Sequence, residues 1–442
     1  MPKLEEVFGV RKEPVLSYLS RNHVDSIFQD ALQTDRQIIV YGSSKQGKTS
    51  LVERYVPYKD NISISCSPKT EVTDIYKSIL RQVNIEIVTE SETKSSVGAE
   101  ASLIAKVKAR IPFIGGEVEA GGKLKGSSEE SDHIKTIEFN LALPQDIFEL
   151  LKKVKSNKFV ILENFHYLDD ALQKQLSFDL RTFQELGVRF VILGVWREKN
   201  RLAQFNGDLL DRVVEIPVEP WQGAEFEKVL EIGEEKLNIK FSQQITKEII
   251  EKAFDSIGVV QELAKAVCQN EGVLETQKYL RELSNLSALN KAVSTKTDDY
   301  SARHIRALED IAKGQKATKL KEGQPAPLFL PHYLIRTILS TDFDNIVKGI
   351  KRQQLEDQIK KMHHRPDDVR PSDMSNLLYN LSKMQNDKGI TPPIFDFDKV
   401  HQELKIIDST FYFFLRNTNT KSIITRLASP LEESEDTYAS CV

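Results

Sequence analysis

The sequence predicts an α/β protein: a parallel sheet of five strands with a β-hairpin insertion, a helical lid, and a C-terminal module of helices closed by a β-ribbon. Three observations carry this. Short apolar strands alternate with helical patterns from Gln37 to Val218. A stretch at 103–126 interrupts them by alternating apolar and charged residues at period two. Beyond Pro220 and Trp221 helical periodicity takes over almost entirely.

Strands are expected at QIIVY (37–41), NISISC (61–66), KFVIL (158–162), RFVILG (189–194) and VVEIPV (213–218). Their near-continuous apolar character suits strands covered on both faces. Helices are expected at 48–57, 71–83, 145–155, 170–186 and 199–211. The insertion reads as a two-stranded hairpin about Gly115 and Gly116, with Lys106, Lys108 and Arg110 facing Glu117 and Glu119. Further helices are expected at 224–237, 242–254, 257–269 and about 274–290, then a polar connector. Residues 331–340, 349–363 and 372–386 read as helices, with strands PIFDFD (393–398) and FYFFLR (411–416) after them. Three helices and then a β-ribbon make the winged-helix pattern. The expected division is 1–220 for the core with its insertion at 86–136, 221–295 for the lid, and 296–329 for the connector. A winged helix at 330–418 and a flexible acidic tail at 419–442 complete it.

At 442 residues the chain is too long for one core. Its 40% hydrophobic and 29% charged content is that of globular protein, and a net charge of -4 gives no global attraction to nucleic acid or anionic membrane. The isolated Cys66, Cys268 and Cys441 offer no metal-ligand spacing and suit a reducing compartment. No signal-like segment or run of about 18 apolar residues is present, so a cytoplasmic protein without membrane spans is expected.

GSSKQGKT (42–49) matches G-x-x-x-x-G-K-[ST] between a strand and a helix. Gly42, Ser43, Ser44, Lys45, Gln46 and Gly47 form the loop, and Lys48, Thr49 and Ser50 open the helix. Backbone N–H groups and the helix N-terminus would wrap phosphate oxygens. Lys48 would reach the β and γ phosphates of ATP or GTP, and Thr49 would hold Mg2+. The third strand runs into ENFHYLDD, placing Glu163 where a carboxylate orients the magnesium water shell. The next position, where a general-base Glu is common, holds Asn164, which can orient water but cannot take its proton. His166, Asp169 and Asp170 lie past the strand end as substitutes, and His166 and Tyr167 are expected to pack at the head of a helix.

With these motifs in this order, the chain resembles the STAND/AAA+ group of ASCE P-loop ATPases of bacterial type, with a C-terminal winged helix. FHYL after the Walker B strand and GVWREKNRL after the fourth strand carry the likeness further. The resemblance implies that Arg21 and Val24 form a lip for adenine and that Arg197 senses the γ-phosphate. Arg212 would stand where a finger reaches into a neighbouring subunit of a homo-oligomer. Gln261, in DSIGVVQELAKAVC, takes the place of the lid sensor, where neither the usual Arg nor the alternative Pro is found. The kinship implies a nucleotide-controlled oligomerisation switch, often regulatory or antiviral, working with a separate effector protein.

A DNA-handling initiator-like ATPase and a non-catalytic ATP-binding scaffold stand as alternatives. Residues 330–418 hold 13 Lys/Arg against 12 Asp/Glu, which gives DNA little net field. Leu377, Leu378 and Leu381 of the would-be recognition helix look like core.

Overall fold

The computed structural model of the chain describes residues 1–11, 13–88, 106–112, 134–314, 326–427 and 431. Its centre is a five-stranded parallel sheet: β1 (Gln37–Tyr41), β2 (Ile62–Ser65), β3 (Val160–Glu163), β4 (Phe190–Gly194) and β5 (Val213–Pro217). The order across the sheet is β2-β3-β4-β1-β5. Alternate residues of β1 serve opposite faces. Ile39 and Tyr41 join one apolar cluster with Ile64, Leu162 and Ile192. Ile38 and Val40 join the other with Val191, Ile216, Leu51 and Phe28. Burial on both faces is why these strands read as unbroken apolar runs.

The strand order positions the chemistry. Because β4 lies between β1 and β3, the segment leaving its end emerges beside both the loop 42–49 and Glu163. Because β5 flanks β1 on the other side, Glu219 emerges against that same loop. Ligands of open α/β sheets collect at these carboxyl ends.

The insertion departs from the expected hairpin. Lys106–Pro112 is the central strand of a three-stranded antiparallel sheet, between Glu86–Val88 and Ile134–Asn140. Arg110 pairs with Glu86 at 3.6 Å; the expected partners Glu117 and Glu119, and the turn at Gly115 and Gly116, lie outside the described residues.

The lid comprises helices Gly223–Leu237, Gln243–Ala253 and Ile257–Asn270, and the N-terminal Leu4, Val7 and Phe8 share its core. The expected helix at 274–290 is instead a short strand, Arg281–Leu283, and then a 27-residue helix, Leu286–Ala312. That helix runs through the expected start of the connector, and its far end packs Ala307, Leu308 and Ile311 into the C-terminal core. The expected helix at 199–211 is two single 3-10 turns, Leu202–Gln204 and Gly207–Leu209. Asn200 in left-handed backbone and Asn206 capping by its side chain break it up.

In the C-terminal module, Glu403–Ile406 is the middle strand between Ile350–Lys351 and Phe395–Asp398. Around this sheet pack helices Leu330–Ser340, Arg352–Met362, Pro371–Tyr379 and Leu381–Asp387. FYFFLR is not the second strand of the ribbon. It lies in the helix Ser409–Asn417, capped by the Asp408 carboxylate. Residues 411–415 of this helix are buried on every side because they serve two cores. Phe411, Tyr412, Phe414 and Leu415 pack into the C-terminal module, and Phe413 packs into the lid. The expected tail begins with a further helix, Thr420–Arg426, which buries Ile423.

Cys66 and Cys268 are buried, and burial pushes the Cys66 thiol up to about 12, as for a small packed residue rather than a nucleophile. Among the described residues no helix is long and apolar enough to cross a membrane.

Candidate nucleotide site

The loop after β1 separates two cavities. The front one, of about 450 Å3, is floored by Lys48, Thr49, Ser50 and Glu163 and walled by Val10, Leu19, Val229 and Ile257. Its size and apolar walls with a few convergent polar groups are those of a small-ligand site. Gly47 caps the helix Lys48–Tyr55 in left-handed backbone, φ 86°. That conformation turns the chain into the helix, and a β-carbon would strain it. Gly258 lets the lid close on the loop. Its N–H donates to the Lys45 carbonyl at 3.1 Å, and a β-carbon there would lie 2.6 Å from Lys45 Cβ.

The polar floor has a defined arrangement. Lys48 Nζ donates to the carbonyls of Gly42 (2.9 Å) and Ser43 (2.6 Å). Burial lowers its pKa to about 8, against the pull of Glu219 and Glu163. Thr49 Oγ1 donates to Glu163 Oε1 at 3.3 Å, and the Tyr58 hydroxyl donates to the same oxygen. A hydroxyl and a carboxylate side by side are the hard oxygen donors that Mg2+ takes alongside substrate phosphates. Among the described residues no cluster of three or more His, Cys, Asp or Glu side chains could hold a metal.

Asn164 ends β3 in left-handed backbone, φ 59° and ψ 33°, and its side chain donates to Ser65 Oγ at 3.1 Å. Asn tolerates this region far better than Glu does. The turn it makes starts a 3-10 turn, Phe165–Tyr167, that doubles the chain back. Phe165 is buried edge-on to Trp196, and His166, past the strand end as expected, lines the front cavity.

The other expected residues divide. Arg21 lines the front cavity, its guanidinium 3.7 Å from the Trp221 ring centroid and bonded to the Val218 carbonyl at 3.0 Å. Val24 is buried beneath the sheet, in the cluster with Phe28 and Val52. Gln261 lines the cavity, but its amide is taken up by the Gly9 N–H (3.2 Å) and Ser17 Oγ (2.9 Å). Arg197 is not among the front lining. It reaches behind the loop, donating to Ser43 Oγ (2.9 Å), Glu219 Oε1 (3.0 Å) and the Tyr412 hydroxyl (3.3 Å). Arg212 precedes β5, at the opposite end of the sheet, where it pairs with Glu185 (3.0 Å) and bonds Gln184 (2.6 Å).

The rear cavity, of about 480 Å3, lies between loop and C-terminal module and includes Arg197, Glu219, Lys405 and Tyr412. Glu219 also accepts from the Ser43 N–H at 2.8 Å. Burial alone would raise its pKa, but Arg197 and the Ser43 bonds hold it below the usual carboxylate range. Beside it the C-terminal module grips Ser44. The Ser44 N–H donates to the Ile407 carbonyl (2.9 Å), its hydroxyl to Asp408 Oδ1 (2.9 Å), and Ser409 Oγ to its carbonyl (2.7 Å). Arg303 pairs with Asp408 from the long helix. Farther out, Arg201 pairs with Asp396 (3.0 Å) and Lys399 with Asp170 (2.8 Å). Gln46 donates to the Asp255 carbonyl at 2.8 Å.

Sequence motifs point to none of Tyr58, Glu219, Trp221, Asp408 or Ser409. Tyr58 reaches Glu163 from the turn after the helix Lys48–Tyr55, and the others come to the loop through the strand order or the docked module.

No protein-family model matches the chain, and no curated protein matches it. Among solved structures it is similar to the Walker-type ATPase PABY2304 of Pyrococcus abyssi, at 13% identity and a TM-score of 0.46, covering 91% of this chain and 100% of that one. It is also similar to the Aeropyrum pernix ORC2 protein, at 13% identity and a TM-score of 0.40 over 91% and 92% of the two chains. The ORC1 protein of the same organism, solved in complex with DNA, aligns at 11% identity and a TM-score of 0.37 over the same shares. The strand order and the glycine loop between β1 and its helix decide the fold. It is a P-loop NTPase fold.

Proposed function

We propose that the chain is an ATP-binding switch of the STAND/AAA+ type in which the C-terminal module, taken as a winged helix, reads the state of the P-loop. The observation that carries this is the grip of residues 407–409 on Ser44. In this reading ATP enters the front cavity with its base between the lid and the Arg21–Trp221 pair and its phosphates at Lys48. Lys48 now holds the carbonyls of Gly42 and Ser43. Phosphate oxygens would compete for its three protons and free those carbonyls. The next links from the loop are Ser43 to Glu219 and Arg197, and Ser44 to Asp408 and Ser409. Triphosphate and diphosphate then differ in what they do to the module, which a population shift requires.

Thr49 and Glu163 would hold magnesium, whose role is to neutralise phosphate charge. Asn164 orients but cannot deprotonate an attacking water, which supports slow hydrolysis as the reset. The release of the module would free its docking face for assembly with further copies, Arg212 acting between subunits, and for a separate effector protein in a regulatory or antiviral role.

Light scattering on the full chain with ADP and with a non-hydrolysable ATP analogue tests the switch. A larger mass with the analogue is expected, together with turnover well below one per second that duplex DNA leaves unchanged. Identical masses would overturn the switch, and rapid, DNA-stimulated turnover would move the reading to a DNA-handling ATPase.

A further inference from the structure

His166 is enclosed at the floor of the front cavity, 8% exposed, within the turn that Asn164 starts. Its Nδ1 accepts a hydrogen bond from the Val195 N–H at 3.3 Å. An imidazole that accepts at Nδ1 carries its proton at Nε2 when neutral. Burial, with the nearby charges of Lys48 and Arg201, lowers its pKa to about 3, so the ring is neutral at any physiological pH. Nε2 has no hydrogen-bond partner among the described residues. The ring lines the same cavity as Lys48, Thr49 and Glu163. An enclosed donor without an acceptor is costly, and an anion arriving in the cavity that this ring lines would offer it a charge-assisted bond.

We infer that His166 donates its Nε2–H to the terminal phosphate of a bound nucleoside triphosphate, making it a residue that distinguishes triphosphate from diphosphate. The inference rests on reading the front cavity as a nucleotide site. It gives His166 a role other than that of a general base: a neutral ring holding its proton at Nε2 and already accepting at Nδ1 has no lone pair to offer. It also gives the left-handed Asn164 a purpose, since that turn is what returns His166 to the cavity.

The test is calorimetric titration of the full chain, in magnesium, with ADP and with an ATP analogue bridged by an imido group. Wild type and His166→Phe are compared, the substitution keeping ring volume while removing both nitrogens. The expected result is that His166→Phe narrows the ratio of analogue to ADP affinity by about tenfold, with ADP affinity retained. A ratio equal to that of wild type overturns the inference, whatever happens to turnover. Lys48→Ala separates the two readings. If wild type binds neither ligand, or Lys48→Ala binds as wild type does, the nucleotide site itself fails and the inference falls with it. Should His166→Phe not fold, 15N spectra of the histidine rings in wild type decide. The Nε2–H tautomer and a downfield shift of that proton with the analogue but not with ADP are expected; an Nδ1–H tautomer, or the same shift with both ligands, contradicts them.

Discussion

In front of the loop 42–49 the cavity is walled by the core and the lid, and its phosphate end is made by residues within a few positions of two motifs. Behind the loop the neighbours are Glu219, Asp255 and Tyr412, drawn from the core, the lid and the C-terminal module. The front is largely apolar with a compact polar floor. The rear is a web of charged and hydroxyl groups spanning Ser43, Arg197, Glu219 and Tyr412. The difference teaches what each side is for. In the proposed reading the front recognises a ligand, and the rear connects the ligand's seat to the rest of the chain. Lys48 belongs to both, because its ammonium holds the backbone of the loop from the front while the Ser43 side chain is held from behind.

The sharpest way to break this comparison is Lys48→Ala. It should cost at least about a hundredfold in ATP affinity, measured by calorimetry, because a buried charge-assisted phosphate contact is lost. Equal affinity would mean that the front cavity is not the nucleotide site. Of comparable size, but in stability, is Phe413→Ala. This side chain is fully buried in the lid core while its helix belongs to the C-terminal module. Denaturant unfolding should show a loss of about 3–5 kcal/mol. A loss under about 1 kcal/mol would mean that the module docks without this anchor.

Asp408→Asn should have a smaller, more specific effect. It keeps volume but weakens the Arg303 pair and the acceptor for the Ser44 hydroxyl. The ATP analogue should then drive assembly at a concentration lower by roughly tenfold, since the docked state is worth about 1–2 kcal/mol less. A higher requirement would place the grip on the side of the active state.

The mildest prediction concerns pH. Lys48 has its folded pKa lowered to about 8 from an ordinary value near 10.5. Phosphate binding favours the charged form, so ATP affinity should fall as pH rises above about 8, approaching tenfold per unit. The linked sign for folding is opposite. Between about 8 and 10.5 the unfolded chain binds the extra proton, so the Lys48 contribution to stability grows with pH. Affinity that is flat from pH 7.5 to 9.5 would mean the ammonium is not desolvated as its surroundings imply.

How much of this could be read from sequence divides in the same way. The five strands were legible because burial on both faces leaves an unbroken apolar run, and the glycine loop because phosphate binding constrains its spacing. FYFFLR could not be assigned by pattern. A short apolar run has no periodicity to separate strand from helix, and a helical stretch shared between two cores carries no polar face. His166 was hidden by a single backbone choice, the left-handed Asn164, which reverses where the next residues point. Arg197 sits 22 residues from Glu219, and only the placement of β4 and β5 on either side of β1 brings the two together. Ser44 and Ser409 are 365 residues apart, joined by a docking that no local pattern records.

The central claim is that a ligand in front of the loop is felt behind it. Hydrogen exchange of the helix Ser409–Asn417 measures this most directly, on the full chain with ADP and with the imido-bridged ATP analogue. Faster exchange of that helix with the analogue, with the strands of the central sheet unchanged, is the predicted result. Equal exchange with both ligands, each bound at saturation, would contradict it.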